Sequence, residues 1–411
     1  EPYYGGYCNS TLWPMFHYFV GAVRYSEAQH AAYARVNALF AARLRPLLRD
    51  DDLVWVHDYH LIPLGRELRS LGLDHPLGLF LHIPFPHVEA LRALPGFEQL
   101  VRDLLAYDLV GFQTQRDLDC FRSAVAEVLG AQVLQQGDVI QHCAGRTRAG
   151  VFPIGVDVDG IQHEAVHSQT SDTVRRMSEG LLGRRCVIGA DRLDYSKGLV
   201  DRFLAYERYM EAHAESLGRI TFLQIAPLSR ADVRAYGEIR RSLEQAAGRI
   251  NGRFAETDWT QIRYLNRNFS HEALMGFLRI AKVGVVTPIR DGMNLVAKEF
   301  VAAQDPADPG ILVLSTLAGA AEEMRGALLV NPRDTGGIAD AIHRALEMPR
   351  DERCARHGQL LDVLRRNDIH AWHGRFVGQL EAAARTSRAG DPDLAGARTG
   401  TTVRWPRSSV G

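Results

Sequence analysis

Short apolar, β-branched runs recur along this 411-residue chain, and between them lie longer stretches with apolar residues at helical spacing. No other feature constrains the fold as much. Strands that alternate with helices assemble into parallel sheets covered by helices on both faces. The first strand series is Leu53 to His57, Leu77 to His82, Leu109 to Gln113 and Val151 to Gly155. The second is Cys186 to Ala190, Ile220 to Ala226, Val283 to Thr287, Ile311 to Ser315 and Leu328 to Val330. These runs lack clean polar alternation, as expected of strands buried on both faces. Stretches such as Ala28 to Leu48 and Leu199 to Ala212 carry the helical spacing.

At 411 residues the chain is too long for one ordinary domain. Two strand series, joined through a polar stretch from Asp157 to Gly183, predict an α/β protein of two Rossmann-like domains facing a central cleft. Residues 1–165 form the first domain and 166–365 the second, with a helix over about 366–384 packing back on the first. Residues 385–411, rich in Gly, Arg, Ser and Pro, form a disordered tail.

Composition removes several function classes. Basic and acidic residues nearly cancel, 48 against 49, so the footprint of a nucleic-acid-binding protein is absent. The five cysteines are scattered and form no CxxC pair, which argues against a disulfide framework or a zinc site and for a reducing compartment. No apolar run is long enough to span a membrane and no signal-peptide pattern occurs, so no membrane partner and a cytoplasmic location are expected. The chain begins at Glu1, its first methionine is Met15, and its opening reads like protein interior. A missing N-terminal segment is therefore expected. The sequence does not set the oligomeric state and leaves a homo-oligomer open.

In open α/β sheets, ligands bind at the carboxyl ends of the strands. Five strand ends here carry polar or charged groups: His57-Asp58-Tyr59-His60, then His82-Ile83-Pro84-Phe85-Pro86, then Asp191 to Gly198, then Pro227 to Arg230, then Arg290 to Glu299. The last is the richest. Its turn, with Asp291 and Gly292, leads into a helix whose first N–H groups can hold a phosphate, and Glu299 lies about two turns above Asp291. A phosphate cradle between two carboxylates suits a sugar nucleotide; a capped crossover with surface acids is the bland alternative. Arg192 and Lys197 could neutralise a pyrophosphate and stabilise it as a leaving group, or belong to a solvated loop. Arg230 could clamp a second phosphate. Asp58 suits substrate hydroxyls, and the prolines after His82 stiffen its turn. His57, His60 and His82 provide no clear metal ligand set. Tyr4 and Trp13 could stack on a sugar ring or lie in the core.

Five segments, in this order, resemble the trehalose-6-phosphate synthase family of retaining GT-B glycosyltransferases (family 20). They are Asn9-Ser10-Thr11-Leu12-Trp13-Pro14, His57-Asp58-Tyr59-His60-Leu61, His82-Ile83-Pro84-Phe85-Pro86, Arg192-Leu193-Asp194-Tyr195-Ser196-Lys197-Gly198 and Asp291-Gly292-Met293-Asn294-Leu295-Val296-Ala297-Lys298-Glu299. The likeness runs from Tyr4 to about Leu380. The resemblance implies transfer of glucose from a nucleotide glucose, usually UDP-glucose, to glucose 6-phosphate, with no metal or other cofactor. It implies that Arg192 and Lys197 hold the donor diphosphate, joined by backbone N–H groups around Asn294, Leu295 and Val296. Glu299 would accept from the ribose and Asp291 from the transferred glucose. Asp58, Tyr4, Trp13 and Arg230 would surround the acceptor, and His82 would sit at the reacting centre. The family usually reads Phe-Ser-Asn where this chain has Tyr7-Cys8-Asn9. It also draws a Gly-rich loop and a basic residue from the stretch expected to be missing, which implies poor transfer by these 411 residues alone. ADP- or GDP-glucose as donor, glycerol 3-phosphate as acceptor, and a non-catalytic regulatory relative remain open alternatives.

Overall fold

The computed structural model describes residues 1–130, 133–143, 145–228 and 234–388, with backbone alone for 234–236 and 386–388. The described residues divide into two compact units, one comprising Glu1–Pro153 with residues 373–388, the other Ile154–Trp372. The division thus falls before residue 165. The stretch from Asp157 to Gly183, expected as a connector, instead folds as helices Val158–His167 and Asp172–Gly180 of the second unit. Its polar residues are caps: Asp157 accepts from the Gly160 N–H and Ser171 from the Val174 N–H, while Ile161, Ala165 and Val174 are buried.

The first unit is built on strands β1 (Val54–His57), β2 (Leu77–Phe80), β3 (Leu109–Phe112), β4 (Leu134–Gln136), β5 (Val139–His142) and β6 (Gly145–Val151). Their order is β1-β2-β3-β6-β5-β4, with β4 and β5 antiparallel at one edge and the rest parallel. The strand expected over Val151 to Gly155 is displaced toward the N-terminus, because Pro153 has no N–H to donate to a ladder. A Cβ on Gly155 would also stand 2.1 Å from the Asn367 carbonyl oxygen. The helix Ile369–Arg388 extends past the expected start of the tail at 385; residues 389–411 lie outside the described part. Phe376 of this helix stacks on Trp55, ring centroids 4.4 Å apart, over β2 and β3, where Gly78 and Gly111 leave it room.

The second unit carries β7 (Arg185–Ala190), β8 (Ile220–Ile225), β9 (Ile262–Leu265), β10 (Val283–Val286), β11 (Ile311–Ser315) and β12 (Leu328–Val330). They are all parallel, in the order β12-β11-β10-β7-β8-β9. The helix Leu199–Ala212 presents Leu199, Phe203, Tyr206 and Met210 to a core shared with Val187, Phe222, Val285 and Ile342. That stripe recurs at three- and four-residue steps, so one helix face meets the sheet. The order reverses at the β7–β10 pair, which places the ligand-binding position of this sheet beyond the ends of those two strands.

Candidate active site

What leaves β7 and β10 is tied together. Beyond β7, buried Leu193 bridges Leu228 and leaves Arg192 exposed. Asp194 then accepts from the Ser196 N–H at 2.8 Å and opens a tight turn, Tyr195–Lys197. Gly198 closes the turn at φ 64°, and a Cβ there would stand 2.5 Å from the Thr287 carbonyl oxygen. Only glycine permits both that backbone and that approach. The Ser196 carbonyl accepts from the Ile289 N–H at 2.7 Å, joining the turn to the segment beyond β10.

Lys197, carried on this turn, pairs with Asp291, and Asn294 Nδ2 donates to the same Asp291 oxygen at 3.0 Å. Burial disfavours the Lys197 charge, yet Asp291, then Asp191 and Asp194, outweigh it and raise the ammonium above the ordinary lysine range. Asn294 also caps the helix Leu295–Ala303, its Oδ1 accepting from the Ala297 N–H at 3.3 Å. Its φ of 76° is uncommon outside glycine, and its amide links the helix start to Asp291. A fixed cation beside the first turn of a helix is a site for an anion. Lys298, by contrast, is buried and committed to the Ile154 carbonyl and Glu323, each at 2.7 Å. Glu299 lies against His271, whose Nε2 is 4.0 Å from its carboxylate.

One helical turn beyond Lys197, the fully buried Arg202 binds all three neighbouring strand ends. It donates to Asp191 at 2.7 Å, Gln224 at 3.1 Å, Thr287 at 3.2 Å and the Lys197 carbonyl at 3.3 Å. Sequence reading missed it, although an arginine beside the apolar stripe Leu199, Phe203 and Tyr206 was a visible signal. His271 was missed too, and no local pattern marks it.

The strand ends of the first unit make a second cluster. Asp58 follows β1 at φ 70°, ψ 172°, a region that suits glycine alone. Its N–H donates to the Phe80 carbonyl at 2.8 Å, and its carboxylate accepts from the His82 N–H at 3.3 Å. Asp58 and Asn294 are two of four non-glycine residues with positive φ among the described ones, and such strain concentrates where function holds it. His57 Nδ1 and His82 Nε2 face each other at 3.0 Å. Burial, then His57, lowers the His82 pKa to about 4, and burial lowers that of His57. At neutral pH the pair is therefore uncharged, one imidazole donating and the other accepting. The turn after His82 is anchored by the Phe85 N–H donating to Asp117 at 2.9 Å.

Tyr4 and Trp13 pack on the residues that follow Asp58. Tyr4, 53% exposed, stacks on His60, and Trp13, 5% exposed, packs against His17 and Tyr59. Arg230 lies outside the described residues. The structure thus brings Lys197, Asp291 and Asn294 together in the second unit, and Asp58 with His82 in the first. The former can bind an anion. The latter offers a carboxylate and a neutral imidazole pair for hydroxyl groups.

Two α/β units, one on a wholly parallel and one on a mostly parallel sheet, with polar groups gathered at their strand ends, fit the GT-B glycosyltransferase class. Residues 1–382 match the sequence profile of Glycosyltransferase family 20, and the chain belongs to that family. It is 47% identical over 382 residues to the trehalose-6-phosphate synthase of Klebsiella pneumoniae subsp. pneumoniae, across 93% of this chain and 80% of that one. A crystal structure of an α,α-trehalose-phosphate synthase (UDP-forming) from Burkholderia xenovorans, in complex with glucose-6-phosphate, is 48% identical with a TM-score of 0.90, covering 92% of this chain and 84% of that one. The trehalose-6-phosphate enzyme from E. coli bound with UDP-2-fluoro glucose is 45% identical with a TM-score of 0.90, at the same coverage of 92% and 84%.

Proposed function

We propose that this chain moves glucose, with retention, from UDP-glucose to glucose 6-phosphate, giving α,α-trehalose 6-phosphate and UDP. The observation that carries the reading is the Lys197–Asp291–Asn294 cluster at the switch point of the second sheet, in a family 20 chain. Lys197, Arg192 and the N–H groups around Asn294, Leu295 and Val296 hold the donor diphosphate. Asp291 accepts from the transferred glucose and Glu299 from the ribose. Asp58 binds acceptor hydroxyls, with Tyr4, Trp13 and Arg230 around the acceptor's sugar and phosphate, and His82 lies beside the donor glucose.

The chemistry follows from charge. As the bond between the anomeric carbon and the diphosphate breaks, negative charge grows on the leaving oxygen, and Lys197 and Arg192 stabilise it there. The acceptor hydroxyl enters from the same face, and the leaving phosphate oxygen takes its proton. Asp58 and Asp291 are assigned to sugar hydroxyls, so neither serves as a double-displacement nucleophile. The reading needs no metal or cofactor, since two cations and a helix start meet the diphosphate. A cytoplasmic location agrees with five free cysteines.

A thermal-shift screen with UDP-, ADP- and GDP-glucose, each with and without glucose 6-phosphate and in EDTA, tests the assignment. A ligand at a hundred times its Kd stabilises the folded state by about 2.7 kcal/mol. UDP-glucose is expected to raise the Tm in EDTA, and glucose 6-phosphate to add to it. A shift with ADP- or GDP-glucose alone would overturn the donor, and no shift with any nucleotide sugar would overturn the reading.

A further inference from the structure

We propose that His271 is a positioning residue that, as an imidazolium, holds the Glu299 carboxylate in place for the donor's ribose. The inference rests on the ribose-binding role proposed for Glu299. His271 opens the helix His271–Ile280, capped by Ser270. Its ring lies between carboxylates from two other helices. Nδ1 is 2.6 Å from Glu164 of Val158–His167, and Nε2 is 4.0 Å from Glu299 of Leu295–Ala303. Glu164 takes one N–H of the ring, and attraction to Glu299 across 4.0 Å, beyond hydrogen-bond length, comes from the charge of the imidazolium.

Electrostatics supports the same state. A cation at the first residue of a helix opposes the helix dipole, so this charge is held by its carboxylate partners. Among the described residues, no lysine or arginine forms an ion pair with Glu164 or Glu299, and neighbouring Lys298 is committed to Ile154 and Glu323. The ionisable groups against the ring are therefore Glu164 and Glu299, with Glu272 beside it on its own helix. Glu299 first, against the opposing effect of burial, and then Glu164 raise the His271 pKa to about 9. Loss of that proton removes the positive charge that faces Glu299. Glu164, at the shorter distance, keeps the remaining N–H, and Glu299 is released.

The consequence is a pH dependence confined to the donor. Donor KM should be low and flat near neutrality and should rise as pH passes through the His271 pKa, with acceptor KM and kcat little affected. The measurement is donor KM between about pH 7 and pH 10 for the parent, His271→Gln, His271→Arg and Glu299→Gln. The His271 ring is half-exposed, and Glu299→Gln keeps the size of its side chain, so all four proteins are expected to fold. His271→Gln should raise donor KM about twofold to fivefold at pH 7, the scale of a half-exposed ion pair. The parent should reach that level above pH 9, and His271→Arg, permanently charged, should restore a low KM throughout. Any loss shared by the parent and His271→Arg belongs to ionisation of the nucleobase or of other groups. In a Glu299→Gln background, His271→Gln should have no further effect. If Glu299→Gln raises donor KM while His271→Gln leaves it unchanged, the positioning role is wrong and the ribose assignment stands. If Glu299→Gln itself changes nothing, the ribose assignment fails and the inference fails with it.

Discussion

Replacing Arg202 by methionine tests how the strand ends of the second unit are held together. The Arg202 side chain is 0% exposed and its partner Asp191 1%. Removing one member of a buried ion pair typically costs about 3–5 kcal/mol, and here it leaves Asp191 with only the indirect attraction of Lys197. Gln224, Thr287 and the Lys197 carbonyl also lose a donor each, but they are neutral and their loss is the smaller part. The second unit spans Ile154–Trp372. For a unit of that size each kcal/mol moves Tm by about 2–4 °C, so the transition of this unit should fall by roughly 6–20 °C. Differential scanning calorimetry of the full chain reads it. Arg202→Met with Asp191→Leu removes both charges, and at least half of the loss should return. A fall below about 3 °C for the single variant would refute the reasoning, because the charge would not be uncompensated in the way the burial implies.

Other outcomes follow from the same geometry. Asp58→Gly relieves about 1–3 kcal/mol of backbone strain and gives up a long hydrogen bond and roughly 0.5–1 kcal/mol of glycine entropy. The terms nearly cancel, so its Tm should stay within a few degrees of the parent's while transfer is lost; a large fall in Tm or retained transfer contradicts this. Since the His82 pKa falls from 6.5 in the unfolded chain to about 4, the unfolded state binds the proton first as pH drops. The contribution is complete above about pH 6.5 and fades toward pH 4, so His82→Gln should flatten stability against pH in that window, read by urea unfolding. Arg192→Ala should lower turnover by on the order of a hundredfold or more, and near-normal turnover would remove Arg192 from the diphosphate site.

The regular part of this fold was legible because it is written in local periodicity. The helix Leu199–Ala212 follows the predicted span, since its apolar stripe repeats without interruption. Strands β4, β5 and β9 escaped notice because they are short and interleave polar with apolar residues, β4 being mostly exposed and β5 and β9 half-buried, and Gly137 turns the chain between β4 and β5 at φ 58°. The helices within 157–183 were hidden by their own caps and charged faces, which look like a linker when read in one dimension. In the candidate site, the identities of Lys197, Asp291 and Asn294 were visible, but their pairing was not, since it joins segments far apart in sequence. Arg202 stood out beside an apolar stripe, but its partners on other strand ends did not, and nothing local marked His271. The strained backbones of Asp58 and Asn294 are set by the hydrogen bonds around them, which no neighbouring residue announces.

The most direct test is the product formed from UDP-glucose and glucose 6-phosphate, followed by NMR at whatever rate the chain turns over. α,α-Trehalose 6-phosphate and UDP should form in equal amounts, with both anomeric centres α and no dependence on added metal. An inverted linkage, or transfer to glycerol 3-phosphate with none to glucose 6-phosphate, would contradict it.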